Sequence, residues 1–182
     1  MSKERVEVKE YTAGWAREFR EIGVALRQAL VNSAIRIDHI GSTSIPGLAA
    51  KPIIDVQISV IDLEPMDTFL VPVESVGYVW RRDNPEQTKR YFRERPGARR
   101  THIHVRKSGS WHEQYALLFR DYLRNHAEAR EQYEQVKRDL AAQFSHERAK
   151  YTDAKAPITW EIMQKADRWA ADTGWEPGPT DA

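Results

Sequence analysis

The sequence contains no cysteine. That excludes a disulfide scaffold, a thiolate zinc site and a cysteine nucleophile. No apolar run approaches the roughly 18 residues that a membrane span requires. The opening stretch, MSKERVEVKEY, lacks the apolar segment and cleavage site of a secretory signal. The expectation is a cytoplasmic protein with no membrane partner. Internal repeats and low-complexity tracts are absent too, and no pattern marks a dimer interface. A net charge of only +1, from 28 Lys and Arg against 27 Asp and Glu, argues against a general nucleic-acid surface.

What is present reads as globular: 182 residues, 41% hydrophobic and 30% charged. The expected organisation is a single domain over 1–175 with a flexible tail at 176–182. Charge is distributed unevenly, however. Between Arg81 and Lys107 ten Lys and Arg face three Asp and Glu, leaving 18 positive and 24 negative residues elsewhere. A basic segment inside an otherwise acidic chain points to a local anion site, or else to a solvated arginine-rich hairpin. It is short and carries few aromatics beyond Tyr91 and Phe92, so nucleic acid is a weak candidate partner.

Periodicity sets the elements. Trp15, Phe19, Ile22, Leu26 and Leu30 make one face of a helix over 12–31. AIRIDHIG (34–41) predicts a strand ending at a glycine. Ile54, Val56, Ile58 and Val60 share one face of the next strand, with Asp55, Gln57 and Ser59 on the other. A helix is predicted near 64–76, then strands at 77–82, 89–94 and 101–106. In THIHVR, Thr101, Ile103 and Val105 point one way, and His102, His104 and Arg106 the other. The last third is helical, with a break at Asn125–His126 and Pro157 in the first turn of a final helix. The fold class is α+β.

The polar loop between the first two strands carries the chemistry. In GSTS (41–44), Gly41 admits close approach of a ligand, and the amides and hydroxyls of Ser42, Thr43 and Ser44 are suited to phosphate oxygens. Lys51 adds a charge, and Asp55, thirteen residues past Ser42, is placed to hold magnesium against those phosphates. A serine-rich turn of purely structural role is the competing reading. His39 reads as a packed strand residue, and Arg120 and Asp121 as structural charges.

HIGSTSIPGLAAKPIIDVQISV, followed by RTHIHV, FRDYLRNH and YTDAK near 151–155, resembles the GrpB-like family of the nucleotidyltransferase superfamily over residues 8 to 166. The resemblance implies a mixed β-sheet packed with helices, a nucleoside triphosphate as co-substrate, and two divalent ions on paired strand carboxylates. It maps the glycine-serine pair to Gly41 and Ser42 and the first carboxylate to Asp55. At the second carboxylate position stands Gln57, a poor magnesium ligand. His102 and His104 occupy the strand where a third carboxylate is expected. Together with Asp55 they would form a carboxylate-plus-histidine set, with magnesium or manganese as the expected ion and zinc or iron as alternatives. Arg100 is the arginine best placed to clamp a phosphate.

Three functions follow from these residues. One is nucleotidyl transfer to an unknown small-molecule acceptor, with Asp55 and His104 catalytic. Another is a non-catalytic module that binds a nucleotide or coenzyme A. A third is a different metal-dependent chemistry at Asp55, His102 and His104.

Overall fold

A computed structural model of the chain describes residues 5–182. Residues 1–4, part of the N-terminal segment and of the expected 1–175 domain, lie outside the described residues. The order is α1 (Gly14–Leu30), β1 (Arg36–Ile40), a 3-10 turn (Ser42–Ser44), β2 (Ile54–Val60), α2 (Asp67–Ser75), β3 (Tyr78–Trp80), β4 (Lys89–Glu94), β5 (Thr101–Lys107), α3 (Trp111–Asn125), α4 (Ala127–Gln143), α5 (Arg148–Ala154) and α6 (Ala156–Thr173). The strands form one mixed sheet in the order β1-β2-β5-β4-β3. Among the described residues only β2 and β5 run parallel.

The alternation along β2 decides which face is which. Ile54, Val56, Ile58 and Val60 join Ile103, Val105 and Phe92 in a core closed by α1 and α2. From α1 that core takes Trp15, Phe19, Leu26 and Leu30, each worth about 2 kcal/mol when buried. The opposite face of the sheet is polar and meets the helical third of the chain. That third has its own core of Leu118, Tyr122, Leu123, Tyr133, Ile158 and Ile162. His126 is extended (φ −125°, ψ 96°) and separates α3 from α4. Pro157 sits in the first turn of α6, and Gly174 ends that helix in the left-handed region (φ 64°). The short helix α5 has no counterpart among the expected elements, which show no further break between His126 and the final helix. The chain instead leaves the helix at Phe144 (φ −116°) and re-enters at Arg148.

The tail expected to be flexible lies along the outer edge of β1. The Ala182 amide donates to the Ile37 carbonyl (3.1 Å), and the His39 amide donates to Asp181 Oδ2 (2.9 Å). An open strand edge offers unpaired amides and carbonyls, and this segment satisfies some of them. Asp181 also accepts from Arg120 Nη1 at 2.9 Å.

Arg120 is the polar tie between helix and sheet. It is 3% exposed and donates to the His39 carbonyl, Asp121 and Asp181, with Asp38 3.7 Å away. Burial pushes the Asp38 carboxyl up, against the pull of Arg36 and Arg120. Removing one partner strands buried charge, so Arg120→Ala is expected to cost about 3 kcal/mol in urea denaturation.

Candidate metal and phosphate site

The in-register pairing of β2 with β5 sets Asp55 beside His102, and Gln57 beside His104, on the polar face. Asp55 Oδ1 lies 3.2 Å from His102 Nδ1 and 3.5 Å from His104 Nε2. One ligand atom from each of the three residues lies within 4.8 Å of the others. Burial alone would raise the Asp55 carboxyl. Hydrogen bonds from His102 and His104 outweigh it and hold Asp55 well below the usual carboxylate range. Burial lowers His104, so its imidazole favours the neutral, ligating form despite Asp55 beside it. The donor set, one carboxylate and two imidazoles, fits manganese, zinc or iron better than magnesium.

Gly41 makes this geometry possible. Its φ is +71°, and a Cβ there would fall 2.6 Å from Asp55 Oδ2. The turn that follows is held from inside. Thr43 Oγ1 donates to the Ile53 carbonyl (2.9 Å) and lies 3.1 Å from His39 Nε2, and Ser44 Oγ donates to the Gly41 carbonyl (2.6 Å). Two of the three hydroxyls expected to cradle phosphate are therefore spent on the turn itself. The Ser42 hydroxyl is on the cleft wall, bonded to Tyr133. His39 is buried and stacked on Phe19 at 4.7 Å, and burial pushes it down to about 3, so it is a neutral packed residue.

Beyond the turn the cleft opens into a cavity of about 310 Å³ whose far wall is cationic: Lys51, Lys137, Arg148 and Lys155. Lys51 and Lys155 both stand over the ring of Tyr151, at 4.7 and 5.0 Å, and Lys137 stands over Tyr133 at 4.8 Å. Burial, with repulsion among the lysines, lowers Lys51 to about 8 and Lys137 to about 7, and it lowers Lys155 as well. Arg100 lies in an adjoining cavity of about 230 Å³ with Lys51 and Arg148. The rest of the basic segment is largely paired, as in Arg90–Glu64, Arg106–Glu86 and Lys107–Asp62.

Gln57 is fully buried and does not line the cleft; its Nε2 donates to the Glu113 carbonyl at the start of α3 (3.2 Å). Sequence reasoning missed Lys137, Arg148, Phe119 and Tyr133. For Lys137 a signal existed: Ala129, Tyr133, Lys137 and Ala141 form the buried stripe of α4 at a spacing of four. A lysine inside such a stripe is a buried charge in need of a purpose.

The GrpB protein family profile matches residues 5–165. UPF0157 protein BH1888 of Halalkalibacterium halodurans is 35% identical over 158 residues, covering 87% of this chain and 80% of that one. A dephospho-CoA kinase of Mycobacterium tuberculosis is 32% identical over 188 residues, covering 90% of this chain but 46% of the kinase. This chain thus spans about half the length of that relative. Among solved structures, GrpB from Enterococcus faecalis superposes with a TM-score of 0.81 at 33% identity, over 90% of this chain and 99% of that one. A cytoplasmic RNA terminal U-transferase superposes at 0.50 with 13% identity, over 71% of this chain and 39% of that one, a likeness of fold alone. The fold is nucleotidyltransferase-like.

Two outcomes follow. Gly41→Ala forces its Cβ into Asp55 at a positive φ, and is expected to cost about 2 kcal/mol in thermal unfolding. Lys137 titrates near 7 when folded and near 10.5 when unfolded, so between those values the unfolded chain holds the extra proton. Ligand-free stability should therefore rise with pH from about 7 to about 9. Lys137→Met should flatten that rise by about 2 kcal/mol in denaturation curves across the range.

Proposed function

This chain belongs to the GrpB family, and from its cleft we propose that it binds a nucleoside triphosphate with a divalent cation and transfers a nucleotidyl group to a small-molecule acceptor. One observation carries the reading: Asp55 and His102, two of a three-residue ligand cluster completed by His104, border the same cavity as four cationic side chains. A metal ion and a multiply charged anion are the complementary guests of such a cleft.

In this reading Asp55, His102 and His104 hold the cation, which when bound supplies charge neutralisation at the phosphates. Lys51, Lys137, Arg148 and Lys155 bind the phosphate chain and stabilise the charge of departing pyrophosphate. The acceptor oxygen attacks the α-phosphorus, and the bond from that phosphorus to the β-bridging oxygen breaks. With Nε2 of His104 committed to the cation, the acceptor's proton leaves to solvent water. Ser42 faces the chain with its hydroxyl, and Arg100 extends the cationic wall. Magnesium alone is the weaker guest, because Gln57 contributes no second carboxylate.

The buried amide of Gln57 also favours a second reading: a module that binds a nucleotide or coenzyme A without turnover. Its relation to a dephospho-CoA kinase makes coenzyme A a reasonable ligand to try. Pyrophosphate release with any acceptor distinguishes the two readings.

Calorimetric titration with ATP, GTP, CTP and UTP, with and without manganese, tests the proposal. Binding of at least one nucleotide should depend on manganese, and Asp55→Asn should remove that dependence. Lys155→Ala should weaken binding by about thirtyfold, about 2 kcal/mol. No binding across the panel, or binding indifferent to Asp55→Asn, contradicts the reading.

A pH series gives a separate check. Lys137 and Lys51 titrate near 7 and 8, so the empty cleft loses positive charge as pH rises through that range. Tripolyphosphate affinity should fall by about tenfold or more from about pH 6.5 to about pH 9. A flat profile would mean that these lysines do not face the anion.

A further inference from the structure

We infer that Glu113 and Gln57 are positioning residues for His104, linked to its Nδ1 through water enclosed beneath the start of α3. The inference rests on the reading above in one respect, that His104 turns Nε2 toward the cleft. Five buried polar atoms here have no hydrogen-bond partner among the described residues: His104 Nδ1, Gln57 Oε1, Ser59 Oγ, Arg106 Nε and Glu113 Oε1. They form one patch. Gln57 is the register partner of His104 and Ser59 that of Arg106, while Gln57 Nε2 reaches the Glu113 carbonyl. Gln57, Ser59 and Glu113 have no solvent exposure, and Arg106 has 9%. Such an orphan polar atom costs about 1–3 kcal/mol. A space bounded by several of them is where enclosed water forms its usual three or so bonds.

The structural duties of Glu113 are met by its other oxygen. Oε2 accepts from the Gly109 amide (2.6 Å) and from Gln114 Nε2 (3.0 Å), tying down the start of α3. Oε1 takes no part in that cap. A ligating imidazole ordinarily gives its second N–H to a carboxylate, carbonyl or water, which fixes the ring and strengthens it as a ligand. Glu113 Oε1 and Gln57 Oε1 supply that acceptor for His104. The arrangement also explains an amide at position 57. A carboxylate there would set a second negative charge against Glu113 and forfeit the bond from Nε2.

Ring-nitrogen NMR of the full chain, first metal-free and then with Zn²⁺, tests the link. Wild type is compared with Glu113→Gln, which keeps an oxygen for Gly109, and with Gln57→Met, which conserves volume. In both variants the His104 Nδ1 resonance should move even without metal, the other histidines should hold still, and Zn²⁺ affinity should fall about tenfold. An unmoved His104 Nδ1 in both variants overturns the inference, whatever Zn²⁺ does. Movement of all six histidines marks a general rearrangement and overturns it as well. If wild type fails to bind Zn²⁺ and Nδ1 still moves, the metal reading falls and the link to Glu113 stands.

Discussion

The parallel pairing of β2 with β5 is the constraint on which the cleft depends. It is the one parallel contact among the described residues, and its register sets Asp55 against His102 on the polar face. A slip of one residue would turn both histidines into the apolar core and bring Ile103 to the carboxylate. That register is protected from the other side of the sheet. Val56, Ile58, Ile103 and Val105 are fully buried there, and any slip would expose them. Packing on one face thus fixes chemistry on the other. Gly41 completes the arrangement, because the turn passes so close to Asp55 that no side chain fits between them.

Around this centre the chain carries features that work against stability. Burial depresses three lysines, Lys155 adds to the depression of Lys51 and Lys137, and two of the three share the ring of a single tyrosine. The aromatic faces of Tyr133 and Tyr151 offset part of that repulsion. Helix α4 supports the loop from both sides: Glu134 accepts from the Ala49 amide, and Lys137 donates to the Ala49 carbonyl. Arg124 adds two bonds to the Ser44 carbonyl (3.0 and 2.9 Å). The helical third therefore both shapes the loop between β1 and β2 and supplies the far wall of the cavity. Buried like charges held by so much scaffolding are typical of a site kept for its ligand at some expense to the fold.

Much of this was legible in the residues. The alternation in IDVQISV and THIHVR gave the right faces, because a period of two leaves a half-buried strand no other choice. It is enough to put Asp55, His102 and His104 on one side of the sheet. That β2 and β5 pair, which makes them neighbours, is seen only in the sheet itself. Less legible was everything that depended on distant contacts. The serines and threonine of GSTS look alike in sequence, yet Thr43 and Ser44 turn inward because Ile53 and Gly41 carbonyls lie within reach. The tail at 176–182 reads as loose from its proline and glycine content. Its place along β1 is held by Arg27, Arg36 and Arg120, all far earlier in the chain. Lys137 was not singled out, because the wall it joins is assembled from Lys51 in the loop before β2 and from Arg148 and Lys155 at the two ends of α5.

The central claim is that Asp55, His102 and His104 form one metal site at the head of a cationic cleft. The most direct test is pulsed electron paramagnetic resonance of the protein with substoichiometric Mn²⁺. The account predicts couplings to two directly bound imidazole nitrogens, reduced to one in His104→Ala and lost with the bound ion in Asp55→Asn. A spectrum of fully hydrated manganese without nitrogen coupling would contradict it.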